Sequence, residues 1–290
     1  MTKLAASLSP KSVAVILTSP SVACILEAAE AWHLRVQVET WRALGARDAR
    51  VVALGGGVAA FTEPMFGRKL NHVTGLGMAA PVDEDDLATL EAAYGARGLG
   101  VELDLCPHAD PGLLLLLTRR GYAVNAFSNS YARTLDDVTD APVPAAIEIL
   151  RGAEAAALFV EASVQGFRVQ AQQRPSELLV ALARIAQARE DTSLFVARVD
   201  GQVAGSAGLS VMRTPLGRVG ELYIASTLPA FRGRGVQAAL LQARLQAARD
   251  ADCALAFVGA RPANTSARNI ERAGFGLAFT KATFARPRQS

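Results

Sequence analysis

Two glycines set between arginines, Arg232-Gly233-Arg234-Gly235-Val236-Gln237, constrain this chain more than any other stretch. An alternating apolar segment, Glu221-Leu222-Tyr223-Ile224-Ala225-Ser226-Thr227, precedes them and predicts a strand. Leu228-Pro229-Ala230-Phe231 turns the chain. Beyond the glycines Val236, Leu240, Ala243 and Ala247 recur at helical spacing. A glycine loop between a strand and a helix N-terminus favours an anion. Unpaired backbone N–H groups and the positive end of the helix dipole face it, and glycine lets the backbone approach closely. Arg232 and Arg234 add charge, so the expected ligand is a pyrophosphate.

The loop lacks the Lys-Ser/Thr ending of a triphosphatase loop. It also lacks the third glycine and the downstream acid of a dinucleotide fold. Taken alone, it also fits a basic glycine turn or an RNA-binding arginine–glycine patch. Its surroundings are more specific. Glu221 stands eleven positions before Arg232, and Asn264-Thr265-Ser266-Ala267-Arg268-Asn269-Ile270-Glu271-Arg272-Ala273-Gly274-Phe275 follows some thirty residues after the loop. This ordered set resembles the GNAT N-acetyltransferase superfamily over about residues 145–286.

The resemblance implies an α/β (α+β) fold with a mixed, mostly antiparallel sheet flanked by helices. It implies acetyl-CoA as co-substrate, with no metal. Arg232, Gly233, Arg234, Gly235, Val236 and Gln237 would take the pyrophosphate, and Asn264 and Ser266 would flank the pantetheine arm. Ala225, Ser226 and Thr227 stand where the family's strand splays and bares its backbone, with an N–H near Thr227 as oxyanion donor. Glu221 is the candidate general base, directly or through water; otherwise it is an outward edge charge or a partner of Arg218. The family often carries a Tyr four residues before the Gly-Phe pair to protonate the CoA sulfur, and Ile270 occupies that place here. Tyr223, the one tyrosine of the second half, lies on the other strand, which leaves the general acid unassigned.

The remaining sequence reads as a degenerate copy of the same plan. Ser21 to Ala46 predicts a helix broken near His33, and Arg50–Leu54 and Val58–Phe61 predict strands around a Gly55-Gly56-Gly57 hairpin turn. Val101–Cys106 matches Leu255–Ala260, and Arg119-Arg120-Gly121-Tyr122 matches Arg272-Ala273-Gly274-Phe275. Phe127 to Arg133 resembles Phe279 to Arg286, so we read a tandem duplication. Residues 136–145, acidic and proline-containing without periodicity, mark the boundary between a degenerate domain at 1–140 and an acetyl-CoA-binding domain at 141–290. Where the second copy has Arg-Gly-Arg-Gly, the first has Asp83-Glu84-Asp85-Asp86, which would repel a pyrophosphate.

Composition bounds the rest. At 290 residues with 51% apolar and 20% charged residues, the chain is a folded protein large enough for two domains. A net charge of +3 does not favour a nucleic-acid partner. Cys24, Cys106 and Cys253 form no disulfide or metal pattern; Cys106 and Cys253 read as small core residues. His33, His72 and His108 show no ligand spacing; His72 reads as structural, the alternative being a residue that aligns with Glu221 and faces a cleft. Trp32 and Trp41 are expected to pack a helical face. No run reaches membrane-spanning length, and the apolar run Val13–Leu17 is short for a secretory signal, so a cytoplasmic protein, monomer or homodimer, is expected. The function expected is direct attack of an amine on acetyl-CoA in the second half. The alternatives are a non-catalytic acyl-CoA-binding sensor or scaffold, or an aminoacyl or other acyl transferase. The acceptor-side loops are expected at about 151–175.

Overall fold

The order of strands across the sheet shows how the two copies are joined. The computed structural model describes residues 17–139, 144–168, 174–214, 217–262 and 264–286. The chain start at 1–16, the centre of the linker at 140–143 and residues 169–173 of the expected acceptor-side loop lie outside the described residues.

Helix α1 (Pro20–Ala43) is capped by Ser19, whose side chain accepts from the Val22 N–H, with proline in the first turn. It runs unbroken through His33, contrary to the expected interruption. The apolar pattern falters there because Trp32 faces solvent, half exposed, while His33 faces inward. Trp41 does pack, with its Nε1 donating to Glu63 and its ring against Phe66. Strands β1 (Arg50–Leu54) and β2 (Gly57–Phe61) form a hairpin whose two turn residues, Gly55 and Gly56, have φ of 54° and 88°. Then come β3 (Val73–Thr74), α2 (Glu84–Gly95), β4 (Val101–Leu105), α3 (Pro111–Arg119) and β5 (Ala123–Thr134).

The second copy repeats the order. It has β6 (Ile147–Leu150), α4 (Gly152–Arg168), α5 (Ser176–Ala188), β7 (Thr192–Val199), β8 (Gln202–Thr214), β9 (Gly217–Thr227), α6 (Val236–Asp250), β10 (Cys253–Ala260), α7 (Thr265–Arg272) and β11 (Gly276–Arg286). Among the described residues eleven strands form one sheet in the order β1-β2-β3-β4-β11-β5-β10-β9-β8-β7-β6. Apart from β6, this order is symmetric about the β11–β5 pair. Each copy lends its last strand to the other. β5 pairs with β10 from Leu255↔Thr134 to Ala260↔Asn129, and β11 pairs with β4 from Ala282↔Leu105 to Arg286↔Val101. Both strands therefore cross in space the line drawn at 140/141. The apolar cores follow the exchange: Tyr131 packs with Ile270 and Phe275, and Phe284 with Leu103 and Tyr94. Among the described residues no helix is long and apolar enough to cross a membrane. Cys106 and Cys253 are buried and Cys24 is exposed.

A buried charge cluster sits where β11 enters the first copy. Lys281 Nζ lies 3.2 Å from Glu27 Oε1 and also pairs with Glu30, both on α1. Arg68 pairs with Asp104 on β4, and Thr283 Oγ1 donates to Asp104 Oδ1 at 2.6 Å. Burial raises the Glu27 carboxyl to about 7 despite the opposing charge of Lys281. Burial lowers His72, just before β3, to about 4. These two shifts act in opposite directions. Glu27, raised in the fold, contributes stability below its ordinary value of 4.5 that is lost as pH rises to about 7. His72, depressed in the fold, contributes stability above its ordinary 6.5 that is lost as pH falls to about 4. At Asp104 the cations Lys281 and Arg68 outweigh burial, so it titrates below this window.

Single variants are expected to expose each slope. Glu27→Gln should gain stability from pH 4.5 to 6.5 and His72→Gln should lose it, each by about 2–3 kcal/mol, with wild type nearly flat. Urea unfolding midpoints at the two pH values read the tilt; parallel profiles for both variants would contradict it.

Candidate active site

Strands β9 and β10 run parallel from Arg218↔Cys253 to Glu221↔Phe257 and then part. Beyond that rung β10 pairs only with β5, and β9 only with β8. The divergence opens a cleft of about 530 Å³. A bulge shapes its β9 wall. Between the Ser206↔Ser226 and Gly208↔Tyr223 pairs, β9 advances three residues while β8 advances two. Ile224 absorbs the extra residue at φ 46°, a conformation that costs a β-branched side chain on the order of 1 kcal/mol. The departure is therefore centred on Ile224–Ala225 and not on Thr227. Of Ala225, Ser226 and Thr227, only Ala225 lines the cleft. Ser226 is buried beneath α4, where a Cβ on Gly166 would come within 2.2 Å of its Oγ.

Gln237, in the first turn of α6, lines the cleft; residues 232–236 of the glycine loop lead into that turn and do not line it. Gly235 takes the N-cap position of α6 at φ 83°, and no side chain caps the helix. The first helical bond runs from the Ala239 N–H to the Gly235 carbonyl, so the N–H groups of Val236 and Gln237 precede it. Gly233 also lies at positive φ, 76°, and a Cβ there would meet no protein atom within 4 Å. Arg232 is exposed. Arg234 is held at the surface by Asp200 at 2.7 Å and lies over the Phe231 ring. The Gln237 side chain accepts from Asn269 and ties α6 to α7, leaving its backbone N–H toward the loop. Asn264 caps α7, accepting from the Ala267 N–H at 2.7 Å, and lines the cleft together with Ser266.

The corresponding end of the first copy is closed. Asp83 and Asp86 form a reciprocal capping box, their carboxylates accepting from each other's backbone N–H at 2.8 and 3.2 Å. Strand β3 stays paired with β4 through Thr74↔Asp104. That copy fits no pyrophosphate at its helix terminus.

Glu221, at the last shared rung, is neither an edge charge nor a partner of Arg218, which donates instead to the Ala251 carbonyl. Its Oε2 lies 2.9 Å from Nδ1 of His33, and both side chains are nearly buried. The Arg189 guanidinium approaches the same His33 Nδ1 at 3.2 Å while making two hydrogen bonds to Asp191 and one to Ser210 Oγ. The contact with Glu221 is one of proximity: its buried Oε2 makes no hydrogen bond among the described residues, and Nδ1 faces the Arg189 guanidinium. Tyr223 meets the His33 ring edge-on at 4.5 Å and shares a 2.8 Å hydrogen bond with Thr192; burial first of all raises its phenol to about 12. His33, Arg189 and Asp191 were not singled out from the sequence as site residues, because contacts spanning 156 and 188 residues leave no local spacing to detect.

Arg244, on α6, lines the cleft while almost fully buried. Its Nε and one terminal nitrogen donate to the Leu240 and Gly208 carbonyls, and among the described residues it has no carboxylate partner. Burial lowers its pKa to about 9. An uncompensated buried cation is costly, so Arg244→Met is expected to stabilise the free protein by about 1–2 kcal/mol. Chemical unfolding measures this; a loss of stability would mean that the two carbonyl contacts outweigh the desolvation.

Residues 157–275 match the family model described as the acetyltransferase (GNAT) family. No curated protein matches the sequence at a significant level. Among solved structures the chain is similar to a GCN5-related N-acetyltransferase from Kribbella flavida, with 19% identity, 90% of this chain and 96% of that chain covered, and a TM-score of 0.62. It is also similar to a tandem GNAT protein from the clavulanic acid biosynthesis pathway, with 15% identity, coverage of 80% and 74%, and a TM-score of 0.56. A GCN5-related N-acetyltransferase from Sphaerobacter thermophilus aligns at 18% identity, with coverage of 83% and 76% and a TM-score of 0.52. At these identities the likeness is one of fold.

Proposed function

We propose that this chain, whose residues 157–275 match the acetyltransferase (GNAT) family model, moves an acetyl group from acetyl-CoA to a primary amine in the cleft of its second copy. The observation that carries the reading is the parting of β9 from β10 after Glu221↔Phe257, with an uncapped helix end at one side and a nearly buried carboxylate at the last rung. Acyl-CoA supplies an activated thioester. The N–H groups of Val236 and Gln237 and the side chain of Arg232 hold the pyrophosphate, and Asn264 and Ser266 flank the pantetheine arm. Backbone N–H groups at the Ile224–Ala225 bulge serve the carbonyl oxygen, a role expected at Thr227 from the sequence alone.

Glu221 accepts the proton that the amine must lose as the C–N bond forms and the C–S bond breaks. His33 lies against the carboxylate and Arg189 with Asp191 fixes His33 from behind, while the buried Glu221 Oε2 has no hydrogen-bond partner among the described residues and is open to a proton. Ile270 offers no proton to the departing sulfur. Arg244 faces the same cleft and supplies positive charge for a thiolate, so the reaction proceeds without a tyrosine acid. The first copy contributes His33 to this site and no second acyl-CoA site. On this reading the division at 140/141 separates two copies of which one is catalytic.

Gly235→Asp places a carboxylate in the anion site and a side chain at positive φ. It is expected to weaken CoA binding by about two orders of magnitude in calorimetry, while Asp83→Asn leaves it unchanged. Equal losses from both would remove the asymmetry between the copies. Glu221→Gln is expected to cut CoA release with amines by about 10²–10³-fold at unchanged CoA affinity. Ile270 also favours a second reading, an acyl-CoA-binding sensor. CoA binding without release across a broad amine panel would establish that one instead.

A further inference from the structure

The cleft carries a charge pattern that acyl transfer itself does not use. Lys69 ends the turn Pro64–Lys69, Arg174 precedes α5, and Arg261 follows β10; all three line the cleft. Among the described residues none of the three has a carboxylate partner. Their neighbour Arg68 differs, being paired with Asp104 and Glu102. Lys69 keeps solvent contact, yet protein surrounds it on most sides. Burial first, then the charges of Arg174, Arg68 and Arg261, lower its ammonium to about 8. After burial, Arg261 also lowers Arg174. The three cations thus repel one another, and an anion entering between them relieves the repulsion.

The carboxylates of the same cleft are placed elsewhere, away from the three cations. Glu30 pairs with Lys281, and Glu221 lies against His33. From the Glu221↔Phe257 rung, β10 runs on to Ala260, and Arg261 follows. Four residues of strand amount to about 13 Å, part of which the side chains span inward. The cleft is therefore bipolar, with a carboxylate at its closed end and free cations where the strands have parted.

We infer that the acceptor is a small amine that also carries a carboxylate or phosphate, its anionic group held by Lys69, Arg174 and Arg261 and its nitrogen presented to Glu221. This rests on the acyl-transfer reading above. The cavity of about 530 Å³ must also admit the pantetheine arm, which limits the acceptor to a small molecule. The phosphates of CoA have their own donors at the α6 N-terminus, and the test separates the two anions.

The experiment is calorimetric titration of the CoA-saturated protein with two matched pairs, O-phosphoethanolamine against ethanolamine and 6-aminohexanoate against hexylamine. At least one anionic member is expected to bind at least about tenfold more tightly than its neutral partner, a difference of about 1.4 kcal/mol. The double variant Lys69→Gln/Arg261→Gln should abolish that preference and leave CoA affinity within about twofold. Equal binding within both pairs, absence of binding by both anionic members, or a preference surviving in the variant would overturn the inference. So would a parallel loss of CoA affinity, which would assign the cations to the CoA phosphates. Failure of CoA to bind wild type would instead strike the acyl-transfer reading. The matched pairs would then be titrated into the free protein, where the same anion preference is expected.

Discussion

A strand that gives up its neighbour must be held from the other side. After Phe257, β10 has no partner in β9, yet Val258, Gly259 and Ala260 still pair with Tyr131, Ser130 and Asn129 of β5. Those pairings satisfy backbone groups that would otherwise be lost where the cleft opens. They come from the first copy of the duplication. The cleft of the second copy is thus stabilised by a strand that its own sequence does not contain, and the exchange of β5 and β11 is what allows β9 and β10 to diverge without fraying.

The same exchange explains why a copy whose α2 terminus is closed by its own carboxylates persists. Removing the first copy would strip β10 of one partner strand and β11 of both, and would remove α1 from the closed end of the cleft. His33 then goes with it, and so does the turn that carries Lys69. The cost of joining the copies is visible at Lys281, a fully buried cation that needs Glu27, Glu30 and Asp104 around it. Breaking such a cluster by removing one partner is far worse than never having built it, which ties the two copies together electrostatically as well as through the sheet.

Much of this was readable from the chain and some was not, for identifiable reasons. Helices, strands, the Gly55-Gly56 hairpin turn and the duplication follow from local periodicity and turn chemistry, so the expected elements from Arg50 to Arg286 recur with small shifts of boundary. The glycine loop and the capping carboxylates of Asp83 and Asp86 are likewise local, and both lie at helix ends as expected. Strand exchange is not local: the alternation of β5 and β11 is the same whichever neighbour each takes. Contacts between His33 and Glu221, or between Arg189 and His33, join elements far apart in sequence, and nothing at any one of these positions announces the other. The bulge at Ile224–Ala225 was invisible for a further reason. A bulge is set by the register against β8, and an isoleucine gives no sign that it will adopt positive φ.

The two copies apply one backbone plan to opposite ends, and the difference lies in what each leaves unsatisfied. In the first copy the α2 terminus consumes its own free N–H groups through Asp83 and Asp86, and among the described residues no non-glycine residue has positive φ. The second copy leaves the α6 terminus without a side-chain cap, which forgoes about 1 kcal/mol. It also holds Ile224 in a strained conformation and buries Arg244 with no carboxylate partner among the described residues. Each feature destabilises the free protein, and all three line or adjoin one cleft. A chain selected for stability alone would have removed them, as the first copy did. Local rules broken together, at one place, mark the cleft as the part of the chain shaped by something other than stability.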